Sequence, residues 1–579
     1  LAYITTYNEL TSIANAIRSK TSTTGRISYP QGFVTAINGI STGVDPIYKS
    51  IAEKTISAMS FSETSIKPYK YAGFSYLTSA VGANCTMIQQ GAFASCQRLS
   101  YASFPVCKII EANAFNKCLN LQIIDIPVCT TLEEMAFAYC SQLSSIIAPG
   151  VTYVSNSMFY ACYALSIASF QSAKEIKENA FYYCKNLETV FAPNCTKVGR
   201  SAFALCSWLS SVNFKLQTIG DNAFYQCSRL SSLDMNLVNS IGFNAFAGCG
   251  LTKATNSICG EIGPAAFSCA SALQEISFYG CRRIGSWAFN NCTSLSHVVF
   301  SYLVFIGERA FNNCKSLNSI EGADLCRYVG NEAFMDCKAL KSISLPMCLY
   351  VNFSTFLGCS ALQMAYIENC VEIGNRAFEN CVTLSYMNIP KCSNIQDSAF
   401  RSCHSLSVVD APECKTIRSC AFEECTQLGA SSVINFPKCE RVLSSAFKSC
   451  IEMREIHLPM CTSIGANCFL DCEKLSSIVL DQCDFIGSYA FSKCIELSEI
   501  MLPNCRFINP SAFYGCTALK SVTLLTNAIA GITDAFENTP ITTSSYLGYY
   551  GSILVPSSLY SAYISTYSSL TKRFSIYTE

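Results

Sequence analysis

The chain has 579 residues, 40 Lys and Arg against 40 Asp and Glu, 14% charged and 50% hydrophobic side chains, 37 Cys and 3 His. A net charge of zero supplies no long-range field to gather phosphates, which argues against electrostatic nucleic-acid binding, and this much hydrophobicity argues against disorder. No apolar run reaches the ~18 residues that a membrane span requires, and no basic-then-apolar leader follows Leu1, so a signal peptide is either absent or already removed.

At the start of the chain, Leu10, Ile13, Ala14 and Ile17 recur at helical spacing. A Thr/Ser/Gly turn follows, and Phe33, Ile37 and Ile40 suit a second short helix. Residues 1–42 are therefore expected to form a small helical module, serving either as a docking element or as a structural cap. Residues 43–65 read as a linker and the start of the cap of the repeat region that follows.

From there a single period governs the sequence. A Phe, usually preceded by Ala, recurs 21 times from Phe93 to Phe536, with a mean spacing of about 22 residues, the mark of a repeat array rather than of several ordinary domains. In the first copy Phe93 is followed by Cys96, Leu99, Ala102, Phe104, Pro105, Cys107 and Ile110. The positions nine and eleven after each Phe alternate with outward ones, as in a short strand with one buried face. Pro127, Pro346, Pro390 and Pro459 stop such strands. Ile-Gly before Ala-Phe, as at Ile306-Gly307 and Ile373-Gly374, suggests a turn and a short helical or irregular return. One coil cannot bury its own apolar face, so the coils must stack. The expected fold is an α/β repeat solenoid over residues 66–540, about 21 coils each with one short parallel strand. Residues 66–92 form a degenerate first repeat with Tyr71 in the Phe place, and 541–579 form a C-terminal cap in which Leu559 and Tyr563 suit a closing helix. The register slips near Gly250-Leu251, and again around Gly429 to Ser432, where three extra residues fall.

Position decides what the cysteines mean. Nineteen lie three after a Phe and 15 lie eight before one, leaving Cys269, Cys420 and Cys468. Stacked equivalents stand ~4.8 Å apart, beyond the ~3.5–4.5 Å Cβ separation of a disulfide, so two buried thiol ladders are favoured over disulfides. Paired Cys-x-x-Cys spacings of a zinc site do not occur. His297, His404 and His457 read as surface residues rather than partners of a nucleophile. No phosphate loop, H-E-x-x-H or nucleophile elbow is present, so no catalytic residue, metal or cofactor is expected. The Asn-Cys-Thr triplets at 84, 194 and 291 follow from the ladder pattern and are discounted as glycosylation sites.

Function should then lie on the outward strand positions, eight and ten after each Phe, where exposed aromatic and apolar side chains suggest recognition. The primary candidates are Tyr101, Phe191, Met364, Tyr366, Tyr386, Asn388 and His457. A second group, Tyr139, Tyr153, Tyr160, Tyr163, Tyr182 and Tyr183, crowds the turns, where shielding of the edge of the stack is the alternative to binding. Tyr with Ser and Asn is also the composition of uncharged binding surfaces.

The pattern Ile-Gly-x-x-Ala-Phe-x-x-Cys-x-x-Leu-x-x-Ile-x-Leu-Pro-x-Cys, nearly complete at 373–392, resembles the BspA-like leucine-rich repeats of bacterial and protist surface proteins. That resemblance implies a non-enzymatic adhesin or binding protein with no shared catalytic residues. Residues 7–40 resemble a short module of tail and fibre proteins from phages of gut Firmicutes, which implies a phage-tail receptor-binding protein docked to other virion or surface proteins through this segment. A bacterial cell-surface adhesin and a spacer or filament subunit without a ligand site are the alternatives. The expected partner is a protein or glycan on a cell surface, in an extracellular setting, with self-association left open.

Overall fold

A computed structural model describes residues 57–526, 530–542 and 552–578. The expected helical module of residues 1–42 lies outside the described residues. The chain divides into two compact units, residues 1–259 with 266–272 and residues 260–265 with 273–579.

Within each unit the coil has the same construction. In most coils a three- or four-residue strand begins eight residues after the Phe and pairs in parallel with a neighbouring strand, as Tyr101–Ser103 does with Ser79–Val81 and Ile123–Asp125 in the first unit; where the register slips the strand shifts, to Lys253–Asn256 after Phe246 and to Ile434–Asn435 after Phe422. His297–Phe300 pairs likewise with Glu275–Phe278 in the second unit. A second strand of two residues follows on the other side of the coil, as at Ile109–Ile110 and Phe305–Ile306. This second strand replaces the helical return expected from sequence. Among the described residues the α-helix is confined to Tyr560–Thr566 in the C-terminal cap, where Tyr563 is buried, so the fold is a parallel β-solenoid rather than α/β. The first strand pair begins upstream of residue 66, with Ala58–Ser60 on Ser79–Val81 and Ser65–Ile66 on Met87–Ile88.

The Ala-Phe step is a turn rather than a helix because its flanks are left-handed. Residues two before and two after the Phe have positive φ, as in Asn113 and Lys117 around Phe115, or Arg376 and Asn380 around Phe378. Asn, Ser and Gly recur there because they tolerate this conformation best. The flipped peptides aim three amides at the following coil: Asn113 N–H donates to Glu134 O, Phe115 N–H to Ala136 O and Lys117 N–H to Ala138 O. The Gly of Ile-Gly serves close approach instead. A Cβ on Gly307 would stand 2.5 Å from the Ser286 amide nitrogen.

Side chains at equivalent positions stack inside. The Phe rings lie nearly parallel at centroid separations of 5.1 to 5.6 Å from Tyr71 to Phe267 in the first unit and 5.1 to 5.4 Å from Phe289 to Phe536 in the second. Leu99, Leu121 and their equivalents, with both cysteine columns, complete the core.

The thiols do more than fill space. In the column three after Phe, Sγ characteristically donates to the carbonyl of the preceding coil's Phe, as Cys118 does to Phe93 O at 3.1 Å and Cys381 to Phe356 O at 3.2 Å, whereas Cys249, where the register slips, donates to Leu230 O at 3.6 Å. In the other column Sγ donates two residues onward, as Cys107 does to Ile109 O at 3.3 Å. Burial pushes the Cys107 thiol up to about 12 and the Cys129 thiol to about 11, so these sulfurs stay protonated and unreactive at neutral pH. Of the 37 cysteines only Cys269 and Cys420 are not buried. Alkylation of the folded protein at pH 7.5 is therefore expected to label Cys269 first and Cys420 slowly, with every ladder thiol reacting only after unfolding. Peptide mapping that finds ladder cysteines alkylated in the native protein would contradict this packing.

Candidate functional site

Most outward positions of the longer strands are at least partly exposed, but Ser103 and Thr523, each ten after a Phe, are buried. Ser103 donates its hydroxyl to Asp125 Oδ2 at 2.8 Å. Tyr101 and Phe191 are exposed on separate strands of the first unit. His457 is half-buried in the second unit, its Nε2 2.7 Å from Glu455 Oε1 on the same strand.

Four of the primary candidates come together. Met364 and Tyr366 on one strand, and Tyr386 and Asn388 on the strand one coil later, line a shallow groove of about 110 Å³ with Ala365 and Glu368. Alternation along each strand places them: Ala365 and Met387 point into the core, so their neighbours point out. Tyr366 and Tyr386 are 48% and 46% exposed, and the Tyr366 hydroxyl lies 3.4 Å from Met364 Sδ. The two strands belong to separate two-stranded sheets, Ser342–Ser344 with Met364–Tyr366 and Tyr386–Asn388 with Val408–Asp410. The groove thus sits where the ladder of the longer strands is interrupted. Two aromatic faces, a thioether, an amide and one carboxylate give it apolar contact area with a few directional polar groups, the usual make-up of a small recognition site.

The tyrosines of the second group divide. Tyr160 packs on Tyr139 at 5.3 Å and on Tyr182 at 5.0 Å, and Tyr163 meets Tyr183 edge-on at 5.4 Å. They form a stack along the turn edge in which Tyr139, Tyr160, Tyr182 and Tyr183 are half-buried and Tyr163 is exposed. Tyr153 is not part of it. It lies on the short strand Tyr153–Val154, with the Lys177 ammonium 5.4 Å from its ring centre.

Outward residues of the short strands were not recognisable from sequence, because that strand itself was not. In the second unit they form an apolar column, Phe305, Tyr328 and Tyr350, flanked by Tyr302, Leu325 and Met347. The one signal available was an aromatic residue just before the inward Ile or Val of successive repeats. Among the described residues no cluster of His, Cys, Asp or Glu could hold a metal ion, and no helix is long and apolar enough to cross a membrane.

The sequence profile of the BspA type leucine rich repeat region matches residues 64–188, 152–268, 196–317, 282–407 and 440–549. These stretches begin after residues 7–40, so the likeness of that segment to phage tail modules gains no support from them. No curated protein matches the chain. Among solved structures it is similar to a leucine-rich repeat protein from Bacteroides ovatus, at 24% identity over 56% of this chain and 81% of that one, with a TM-score of 0.45. It is also similar to a leucine rich cell surface protein from Faecalibacterium prausnitzii, at 22% identity over 62% and 83% of the two chains, with a TM-score of 0.28.

Proposed function

The chain belongs to the BspA-type leucine-rich repeat family, whose members are adhesin-like cell-surface repeat proteins, and on that premise we propose that it is a non-enzymatic recognition protein that holds its ligand in the groove of Met364, Tyr366, Tyr386 and Asn388. The observation that carries this reading is the convergence of two half-exposed tyrosines on one groove at a break in the strand ladder. Paired aromatic anchors supply contact area at low entropic cost, which suits a surface poor in charge. The ligand is a protein or glycan of a cell surface. An extracellular adhesin is favoured over a phage-tail receptor-binding protein, since the latter rests on residues 7–40 alone.

Tyr366→Ala and Tyr386→Ala should each weaken attachment of the labelled protein to target cells at least ~10-fold, as loss of a buried aromatic anchor does. Thermal unfolding should stay within ~1 °C of the parent, because both rings lie outside the core. Attachment unchanged in the double variant would reject the groove. Attachment unchanged there but abolished by Tyr101→Ala or Phe191→Ala would move the site to the first unit.

A further inference from the structure

The short-strand column of the second unit carries a cation, three aromatic rings and an anion in sequence. Strand pairing sets Arg283 opposite Phe305, Phe305 opposite Tyr328 and Tyr350 opposite Glu372. The five occupy five successive coils, with Tyr328 in the middle. The Arg283 guanidinium lies 4.3 Å from the centre of the Phe305 ring, and that ring stacks on Tyr328 at 4.8 Å and 7°. Tyr328 and Tyr350 are 47% and 53% exposed, and Tyr302, Leu325, Met347 and Leu349 extend the apolar area beside them. Between Tyr328–Val329 and Tyr350–Val351 one short-strand sheet ends and another begins. A contiguous apolar face of this kind, rimmed by charge, marks an interaction surface.

The order of the charges selects the occupant. A two-fold axis through Tyr328, normal to the face, exchanges the two ends of the column. It brings Arg283 against the partner's Glu372 and Phe305 against the partner's Tyr350, while Tyr328 meets its own equivalent. Self-complementarity of this sort, residue i on j and j on i, is what an isologous contact demands. We propose that this face joins two copies of the chain in a two-fold dimer, independently of the ligand groove. Both charges can take part. Arg283 is exposed and only loosely held by Glu261, at 4.0 Å, and Glu372 is half-exposed with Gln396 Nε2 donating to its Oε1 at 2.9 Å. Arg327, next to Tyr328, falls near the axis and opposes its own equivalent there.

The test is sedimentation velocity on the full chain from about 1 to 100 μM, with circular dichroism and melting as fold controls. The parent should dimerise in this range. Arg283→Glu should raise the dissociation constant at least ~10-fold, as truncating or reversing a close interfacial charge pair does. Glu372→Arg should do the same, the double exchange should restore dimerisation, and Arg327→Ala should tighten it. In a Cys269→Ser background, Tyr328→Cys should give a disulfide-linked dimer under mild oxidation, since only a residue at the axis meets its own copy within disulfide reach. A parent monomeric at 100 μM, or a dimer indifferent to both charge reversals and to Tyr328→Cys, would overturn the proposal. Binding of lipid vesicles or of a cell extract by this face in a chain that stays monomeric would overturn it equally.

Discussion

Phe378→Ala should cost about 3–5 kcal/mol of stability, the range for removing a fully buried aromatic side chain. Phe378 is completely buried, with Phe356 on one side at 5.1 Å and Phe400 on the other at 5.3 Å, both nearly parallel to it. The cavity left behind is walled by two rings whose own positions are fixed by further rings, so it has little means of collapsing. Each coil touches only its neighbours, so the damage should be local: amides of the adjacent turns should lose hydrogen-exchange protection while those of distant coils keep theirs. Denaturant unfolding of the variant measures the sum and exchange measures its location. A loss below ~1 kcal/mol would mean that the aromatic stack is incidental to stability.

Replacing both cations around Glu423 should have an effect of similar size with an unusual pH signature. Glu423 is 5% exposed; Lys448 Nζ lies 2.8 Å from one carboxylate oxygen and Arg401 Nε 3.2 Å from the other. Burial, the largest influence, raises its pKa, yet the Lys448 and Cys420 hydrogen bonds and the two positive charges outweigh it, and the net value lies below the ordinary 4.5. In the parent this group therefore stabilises the fold above about pH 4.5, and the contribution fades as pH falls through the depressed value. In Arg401→Met/Lys448→Met the carboxylate keeps its burial and loses its counter-charges, so its folded pKa rises above the unfolded one. Stability at pH 7 should fall by about 3 kcal/mol, the cost of stranding a buried charge. That loss should be recovered on acidification, so the contribution of this site changes slope from rising with pH to falling with pH between about pH 4.5 and 7. Melting curves across that range read both, and parallel profiles for parent and variant would refute the assignment.

The repeat was legible because its strongest constraints are steric and recur at fixed spacing. Phe, Leu and Cys at the stacked positions have no other place to go, and the outward neighbours of Ala365 and Met387 followed from alternation alone. The second strand was not legible because two residues are too few to show alternation. Ile109 and Ile110 are both apolar, and only the structure shows that the first is the more exposed. The left-handed flanks were hidden for a different reason. Asn and Ser mark many of them, but Lys117, Met135, Tyr139 and Trp287 adopt positive φ as well, held by the amide bonds to the next coil rather than by their own preference. Failing to see the short strand also concealed the Phe305, Tyr328 and Tyr350 column, whose members read as scattered aromatics until a shared strand face aligns them. Met364, Tyr366, Tyr386 and Asn388 follow from alternation in the sequence, but Glu368 of the same groove and the interruption of the ladder do not, since they leave no mark in the repeat pattern.

The forward-pointing amides that recur at the turns have an electrical consequence. Strand ladders point their peptide dipoles alternately and nearly cancel, but the turn peptides all point the same way along the stack, with N–H groups toward the later coils and carbonyls toward the earlier ones. Each unit therefore carries an aligned row of dipoles along its Phe edge, negative at the early end and positive at the late end, opposite in sense to an α-helix. The charges at the outer turns match these poles. Lys67 and Lys70, the latter paired with Glu63 at 2.7 Å, stand beside Tyr71 at the start of the first unit's stack, and Asp534 and Glu537 flank Phe536 at the end of the second's. In a chain with so few charges, these four occupy the places where such a field is strongest.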